Sequence, residues 1–320
     1  NGFRFDAGPS LFTMPEYVDE LFKICNENPR DYFNYKRKKI GCKYFWGDGK
    51  KLIAYGDRSK FATEVEDKLG VPQHVLINYF EKAKTKFDKT APLFLNKSLH
   101  KVKTYLSRDA IKAILSFNKY DFFKSLNEIN EQQLKEPHLV QLFNRFATYI
   151  GSDPFQTSGM MTLIQHLEQH FGTFVPVKGM VSITESLVSL AKKQGVKFIF
   201  NSYVDNILIE NNSAKGITSL GKNYLSDLVI SNMDINPTYN LLLSKVKMPK
   251  RIANNKPSSS ALIFYWGISK KFPNLDLHNI FFSGDYKEEF KQIFKNQNIS
   301  DDPTIYINIT SKDVKNDAPK

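Results

Sequence analysis

Cysteine is nearly absent from this sequence: Cys25 and Cys42 are the only two among 320 residues. They share no paired spacing, which argues against a disulfide framework and for a reducing compartment. No run reaches the roughly 18–20 uninterrupted apolar residues that a membrane-spanning helix requires, and no signal-peptide pattern is visible. The Gly-x-Ser-x-Gly elbow of hydrolases is missing, as is the Gly-x4-Gly-Lys-Ser/Thr phosphate loop. Gly47-Asp48-Gly49 comes nearest to a dinucleotide fingerprint, but Leu52 stands where the third glycine belongs. Acidic residues are also in deficit, 33 against 45 Lys and Arg, giving a formal charge of +12. Such an excess favours an anionic partner.

What is present is a chain 41% hydrophobic, enough for one large domain or a few layers around a core. It begins at Asn1 rather than Met and stops at Lys320 soon after a strand-like run, so both ends are expected to be cut. Phe3 and Phe5 alternate before a Gly8-Pro9 turn, as in a short strand. Val18, Leu21, Phe22 and Cys25 recur at helical spacing. Residues 35–55 flank Gly47-Asp48-Gly49 as a hairpin. From 60 to 145 the pattern is helical: Val65 and Leu69, Val75 and Tyr79, Leu99, Val102 and Leu106, then Ile111, Ile114 and Leu115. A further helix is expected over 158–170, leading into a strand over 172–177.

Met180, Ile183, Leu187, Val188 and Leu190 predict a helix ended by Gly195. Strands are expected at 196–200, 204–209, 216–220 and 225–232, with a turn at 211–215, and later at 261–268, 279–282 and 304–309. Helix followed by strands in this way is an α/β layer with an antiparallel excursion.

His166 and His170 stand four apart, but Glu168 is one place too late for a zinc-protease pattern, and no metal is expected. Residues 82–124 hold eleven Lys or Arg against Asp88, Asp109 and Asp121. Leu93, Phe94, Leu95, Leu99, Tyr105, Leu106, Ile111, Leu115, Phe117, Phe122 and Phe123 are interleaved with them. This suits the headgroup zone of an anionic bilayer or a solvated lysine face over a core. Lysine outnumbers arginine and no binding motif accompanies it, so nucleic acid is not expected as a partner.

Specific segments carry a resemblance. Phe5-Asp6-Ala7-Gly8-Pro9-Ser10, the block from Gly151-Ser-Asp-Pro154 through His166-Leu-Glu168 and Val175-Pro176 to Gly179-Met180, then Tyr203-Val204, Ser231-Asn232-Met233-Asp234 and 259–267 together resemble the bacterial-type phytoene desaturase and carotenoid 3,4-desaturase family. The likeness covers nearly the whole chain, and the chain reads as an internal fragment. It implies a mixed α/β, two-dinucleotide-binding-type, FAD/NAD(P)-binding Rossmann-like flavoprotein fold, truncated, with an interleaved substrate-binding sheet and helical lid. The layout it implies puts flavin-domain segments at 1–10 and 179–235. Substrate-domain segments fall at 11–60, 146–178 and 236–320, with the lid at 61–145.

The implied activity is oxidation of C–C to C=C in a long carotenoid polyene, hydride passing to FAD and then to quinone or oxygen. Cofactors of this kind carry the chemistry themselves, in keeping with the lack of a nucleophile, and no catalytic residue is assigned. By the same resemblance Gly8, Pro9 and Ser10 let backbone approach the flavin, and Gly179 and Met180 open a helix beside it. Val204 meets the adenine, while Asn232 and Met233 close a flavin-domain strand. Lys178 departs from the family's Gly-Gly pair, and the family's glycine-rich flavin turns do not occur in these residues, so the 320 residues alone are not expected to hold FAD. A cytoplasmic location, peripheral on the inner face of the cell membrane, is the matching expectation. The alternatives are another flavoenzyme of this fold, such as an amine oxidase or carotenoid isomerase, or a basic membrane-binding module without redox chemistry.

Overall fold

The structure is a computed structural model that describes residues 2–95, 97–98, 100–107, 120–255 and 258–319. The chain divides into two compact units, one of Asn1–Leu190 with Ser258–Lys320 and one of Ala191–Pro257. The larger opens with α1 (Glu16–Ile24), β1 (Tyr35–Arg37), β2 (Ile40–Phe45) and β3 (Lys51–Tyr55). In α1 the side chains of Val18, Phe22 and Cys25 face a small core with Phe12, Phe33 and Leu190. Leu21, expected on that buried face, points outward instead and is 46% exposed. Helical geometry allows one stripe inward, and the bulk of Phe22 occupies it.

β2 and β3 form the expected hairpin, from Ile40 opposite Tyr55 to Phe45 opposite Lys51. Gly49 turns it at φ 88°, a conformation that glycine adopts without strain. Along the strands Cys42, Tyr44, Leu52 and Ala54 alternate inward and are buried, the period of two that puts one face of a sheet on the core. Against them pack α2 (Arg58–Leu69) and α3 (Gln73–Phe94). Asp57 caps α2 through the Lys60 N–H, and Gly70 ends it at φ 70°. The short α4 (Val102–Tyr105) follows, then α5 (Leu126–Leu134) and α6 (Pro137–Asn144). A reciprocal Ser125–Glu128 capping box starts α5.

Phe61, Leu76, Phe80, Leu139 and Phe143 are fully buried between these helices and the sheet. Each contributes about 1.5–3 kcal/mol of burial, so the helical layer is a working part of the core. The helical expectations at Leu99, Ile111, Ile114 and Leu115 lie outside the described residues. So do Phe117, Asp109, Asn1 and Lys320, and the side chain of Phe94.

The helix expected over 158–170 is two tighter and wider pieces, a 3₁₀ segment (Gly159–Ile164) and a π turn (Leu167–Phe171). β4 (Phe174–Pro176) then pairs antiparallel with β1. α7 (Val181–Lys193) follows, with Val181–Leu190 in the larger unit. Chain returning from 258 adds β8 (His278–Phe281), α8 (Tyr286–Lys291) and β9 (Ile305–Asn308). The sheet order is β3-β2-β8-β9, with β8 parallel to β2 and antiparallel to β9.

The smaller unit is the meander β5 (Val204–Glu210), β6 (Ser213–Ser219) and β7 (Lys222–Leu225). Asn211 and Asn212, at φ 49° and 60°, make a two-residue hairpin turn, tighter than the loop expected there.

Four expected strands are absent: Val196–Phe200, the run after Leu225 to Asn232, Ala261–Ile268 and the run holding Phe3 and Phe5 belong to no strand. Ile199, Phe200, Ile230, Leu262 and Trp266 are 61–83% exposed. A strand exists by hydrogen bonding to a neighbour, and among the described residues these runs have no neighbouring strand. These runs have the apolar composition of strands without the pairing.

Candidate functional site

Asp6 gathers the sequence motifs of the larger unit. Its carboxylate accepts hydrogen bonds from the Met180 and Val181 backbone N–H groups at 3.0 and 3.2 Å. Those donors open α7, where free N–H groups and the helix dipole favour negative charge. Arg4 donates to Asp6 at 2.8 Å and to Asp317 at 2.6 and 2.8 Å. Burial opposes charge on Asp6, but Arg4 and the two N–H groups outweigh it and hold the carboxyl below its ordinary value. The Tyr265 hydroxyl donates to the Ala7 carbonyl at 3.2 Å, and the Phe5 and Tyr265 rings meet at 5.6 Å. Segments some 170 and 260 residues apart thus converge on the chain's first turn.

The expected cofactor residues are distributed as follows. Gly8 and Pro9 are exposed, and a Cβ added at Gly8 would meet nothing within 4 Å. Ser10 exchanges a hydrogen bond with the Tyr306 hydroxyl at 3.0 Å. Ser10, Gly179 and Met180 line one cavity with Asp6, but its volume is about 10 Å³, room for a single water. Gly179, at φ 84°, is crowded by the chain itself: a Cβ there would lie 2.0 Å from Arg4 Nη2. In the smaller unit Val204 begins β5 opposite Ser219. Asn232 and Met233 are exposed in a turn tied together by Ser231 and Thr238.

The cavity of about 10 Å³ beside Ser10, Gly179 and Met180 is far too small for an isoalloxazine ring, and the start of α7, which would favour an anionic group, is already capped by Asp6.

Two further constellations were not singled out from sequence. The first is a buried ion pair, with Arg145 donating to Glu168 at 3.3 Å and to the Tyr44 hydroxyl at 3.1 Å. Tyr149 donates to the other Glu168 oxygen. The guanidinium lies over the Phe146 ring at 4.5 Å. Burial pushes the Glu168 carboxyl up against the pull of Arg145, and it pushes the nearby Cys42 thiol up to about 12, which leaves that thiol inert. Within the 3₁₀ and π segment only the Glu168 motif position hinted at this pair.

The second is a cleft of about 630 Å³ between α1, α3 and the end of the π turn, walled by Met14, Tyr17, Phe87, Pro92, Leu95 and Phe171. Its volume lies in the range of small-molecule sites, although it is open to solvent along one side. Glu16, Glu20, Lys23 and Asp88 also line it. Among the described residues no group of three or more His, Cys, Asp or Glu side chains is arranged to hold a metal ion, and His166 and His170 stack on each other rather than converge.

Comparison with known proteins extends the picture. The chain is 46% identical over 319 residues to a 1-hydroxycarotenoid 3,4-desaturase of Flavobacterium sp. (strain P99-3), covering 100% of this chain and 65% of that protein. It is 29% identical to a 4,4'-diapolycopene oxygenase of Methylomonas sp, covering 96% of this chain and 62% of the relative. The chain thus spans about two thirds or less of these relatives' length. A solved oxidoreductase from Methanosarcina mazei superposes with a TM-score of 0.50 at 16% identity, covering 81% of this chain and 56% of that one. That likeness agrees with the mixed α/β, FAD-binding Rossmann-like fold. The model of the flavin containing amine oxidoreductases, whose cofactor is FAD, matches residues 1–294. With a match of that extent, and the same family's segments meeting around Asp6, this chain belongs to the flavin containing amine oxidoreductase family.

Proposed function

We propose that this chain is part of an FAD-dependent carotenoid desaturase that oxidises C–C to C=C in a long, hydroxyl-bearing polyene during carotenoid biosynthesis. The observation that carries the reading is the 46% identity to a 1-hydroxycarotenoid 3,4-desaturase along the whole chain. The geometry is compatible with it through the open cleft beside α3, whose apolar wall of Met14, Tyr17, Phe87, Pro92, Leu95 and Phe171 offers a polyene a surface to lie against. A quinone or oxygen is the proposed final electron acceptor. Oxygenation of the polyene is the second reading, favoured by the more distant 29% relative.

Peripheral contact with the cytoplasmic face of an anionic membrane is part of the same proposal. Leu95, Val102, Tyr105, Leu106 and Phe123 are 51–92% exposed, and Lys82, Lys101, Lys103 and Lys124 are exposed beside them in sequence. Basic residues among exposed apolar ones suit a headgroup layer.

The test is to incubate the full-length, flavin-loaded protein with a 1-hydroxylated carotenoid and, separately, with phytoene, and to follow the polyene absorbance. A shift to longer wavelength with the hydroxylated compound is expected. Unchanged spectra from a protein that carries its flavin would overturn the reading, and an oxygenated product without a new double bond would favour the second.

A further inference from the structure

The turn from Gln165 to His170 carries buried polar atoms that the fold does not use. Gln165 and His166 are each 1% exposed and Gln169 is 5% exposed. Both amide atoms of Gln165, both ring nitrogens of His166 and the Gln169 Oε1 lack a hydrogen-bond partner among the described residues. Native interiors leave only a few such atoms in a hundred residues. Other unpartnered atoms in this interior are scattered singly, at Arg58, Tyr120, Gln133, Arg145, His278 and Ser283, while Tyr79, Asn130, Asn144 and Asn127 form an unbroken hydrogen-bonded chain at 2.7–2.9 Å. A concentration of idle groups in one turn therefore asks for a common explanation.

The backbone is irregular at the same place. The 3₁₀ segment Gly159–Ile164 gives way to the π turn Leu167–Phe171, and π turns within helical runs recur at functional sites. The His166 ring stacks on His170 at 4.4 Å and lies against Phe87 at 5.0 Å and Phe171 at 5.4 Å. Phe87 and Phe171 are also walls of the 630 Å³ cleft. The idle imidazole thus sits one aromatic ring behind an apolar cleft.

Burial, helped by His170 and Arg58, lowers the His166 pKa to about 4, so at neutral pH the ring offers one donor and one acceptor. The nearby Arg58 guanidinium is paired with Glu81 at 3.0 Å. A neutral group that both gives and takes a hydrogen bond is the natural complement.

We propose that His166, supported by Gln165, recognises the hydroxyl group at the end of a polyene whose hydrocarbon chain lies in the cleft. Rotation of Phe87 or Phe171 opens the path between cleft and imidazole. The inference rests on the desaturase reading and adds to it the residues that select a hydroxylated substrate. A site built to hydrogen-bond a hydroxyl disfavours the analogue that lacks it, because its own polar groups then stay unpaired.

The test uses the full-length, flavin-loaded enzyme with a 1-hydroxylated carotenoid and the matching hydrocarbon without the hydroxyl, measuring kcat and KM for each and equilibrium binding through the polyene spectrum. The wild type is expected to prefer the hydroxylated compound. His166→Phe keeps the ring and removes the polar atoms. It should raise KM and Kd for the hydroxylated compound about tenfold, the scale of one lost hydrogen bond, and leave kcat and the hydrocarbon unchanged. Should that variant fail to fold, His166→Asn should keep the preference and Gln165→Leu should weaken it.

A His166→Phe enzyme that still discriminates, or one that weakens both compounds equally, overturns the proposal. Equal use of both compounds by the wild type overturns it while leaving the desaturase reading intact. Failure of the flavin-loaded wild type to bind or convert either one defeats both.

Discussion

At the scale of single residues the sharpest contrast is between polar groups that are fully used and those that are idle. Asp6 spends its carboxylate on two helix N–H groups and on Arg4, so Asp6→Ala should cost about 1–3 kcal/mol, the sum of a lost cap and a lost charge-assisted bond. The midpoint of urea unfolding measures it. His166 and His278 are held by burial at about 4, below the ordinary histidine value of 6.5. Above pH 6.5 both are neutral whether folded or unfolded, so stability is insensitive to them there. As pH falls from 6.5 towards 4 the unfolded chain takes up protons that the folded one refuses, and stability declines across that window. Urea midpoints at pH 7, 5.5 and 4.5 should fall in that order, and His166→Phe should flatten part of the slope. Gly8 offers a cleaner probe of the cofactor than Gly179. A side chain at Gly8 meets no atom of the chain, while one at Gly179 strikes Arg4. Loss of flavin from a full-length Gly8→Val protein with an unchanged melting temperature would mark direct contact, whereas retained flavin would remove Gly8 from the site.

At the scale of elements, the backbone decides where substitution is tolerated. Gly216 sits in β6 at φ 145°, and a Cβ there would come within 2.0 Å of the Tyr224 carbonyl oxygen on β7. Gly195, at φ 84°, would meet nothing. Gly195→Ala should therefore cost only about 1 kcal/mol of left-handed strain, and Gly216→Ala should cost more because β7 must also move. Comparing their thermal midpoints checks this. The hairpin of β2 and β3 and the helices α2 and α3 were legible in the sequence because their signals are local: alternation, caps and a Gly turn within a few residues. The runs at 196–200 and 261–268 have the same local signal without the same outcome, since a strand also needs a partner and partner identity is not written into the strand.

At the scale of the whole molecule, the charge of +12 is unevenly spread, and eleven basic residues lie within 82–124. Lys86 does not share in any basic face, because it is buried against Asp121 at 2.6 Å and Thr162 at 2.8 Å. The remaining exposed lysines beside Val102, Leu106 and Phe123 lead to a test by vesicle flotation. The full-length protein should float with vesicles rich in anionic phospholipid, and binding should weaken as salt rises; equal binding to neutral vesicles would argue against an electrostatic role.

By itself the sequence determined the family, the helical layer and the hairpin, since each is carried by ordered motifs or by periodicity along neighbouring residues. Only the tertiary structure decided that Asp6 would occupy the start of a helix 174 residues away, and that Gln165 and His166 would be buried without partners beside an apolar cleft. Burial and pairing between distant segments depend on how the whole chain packs, and no local pattern encodes them.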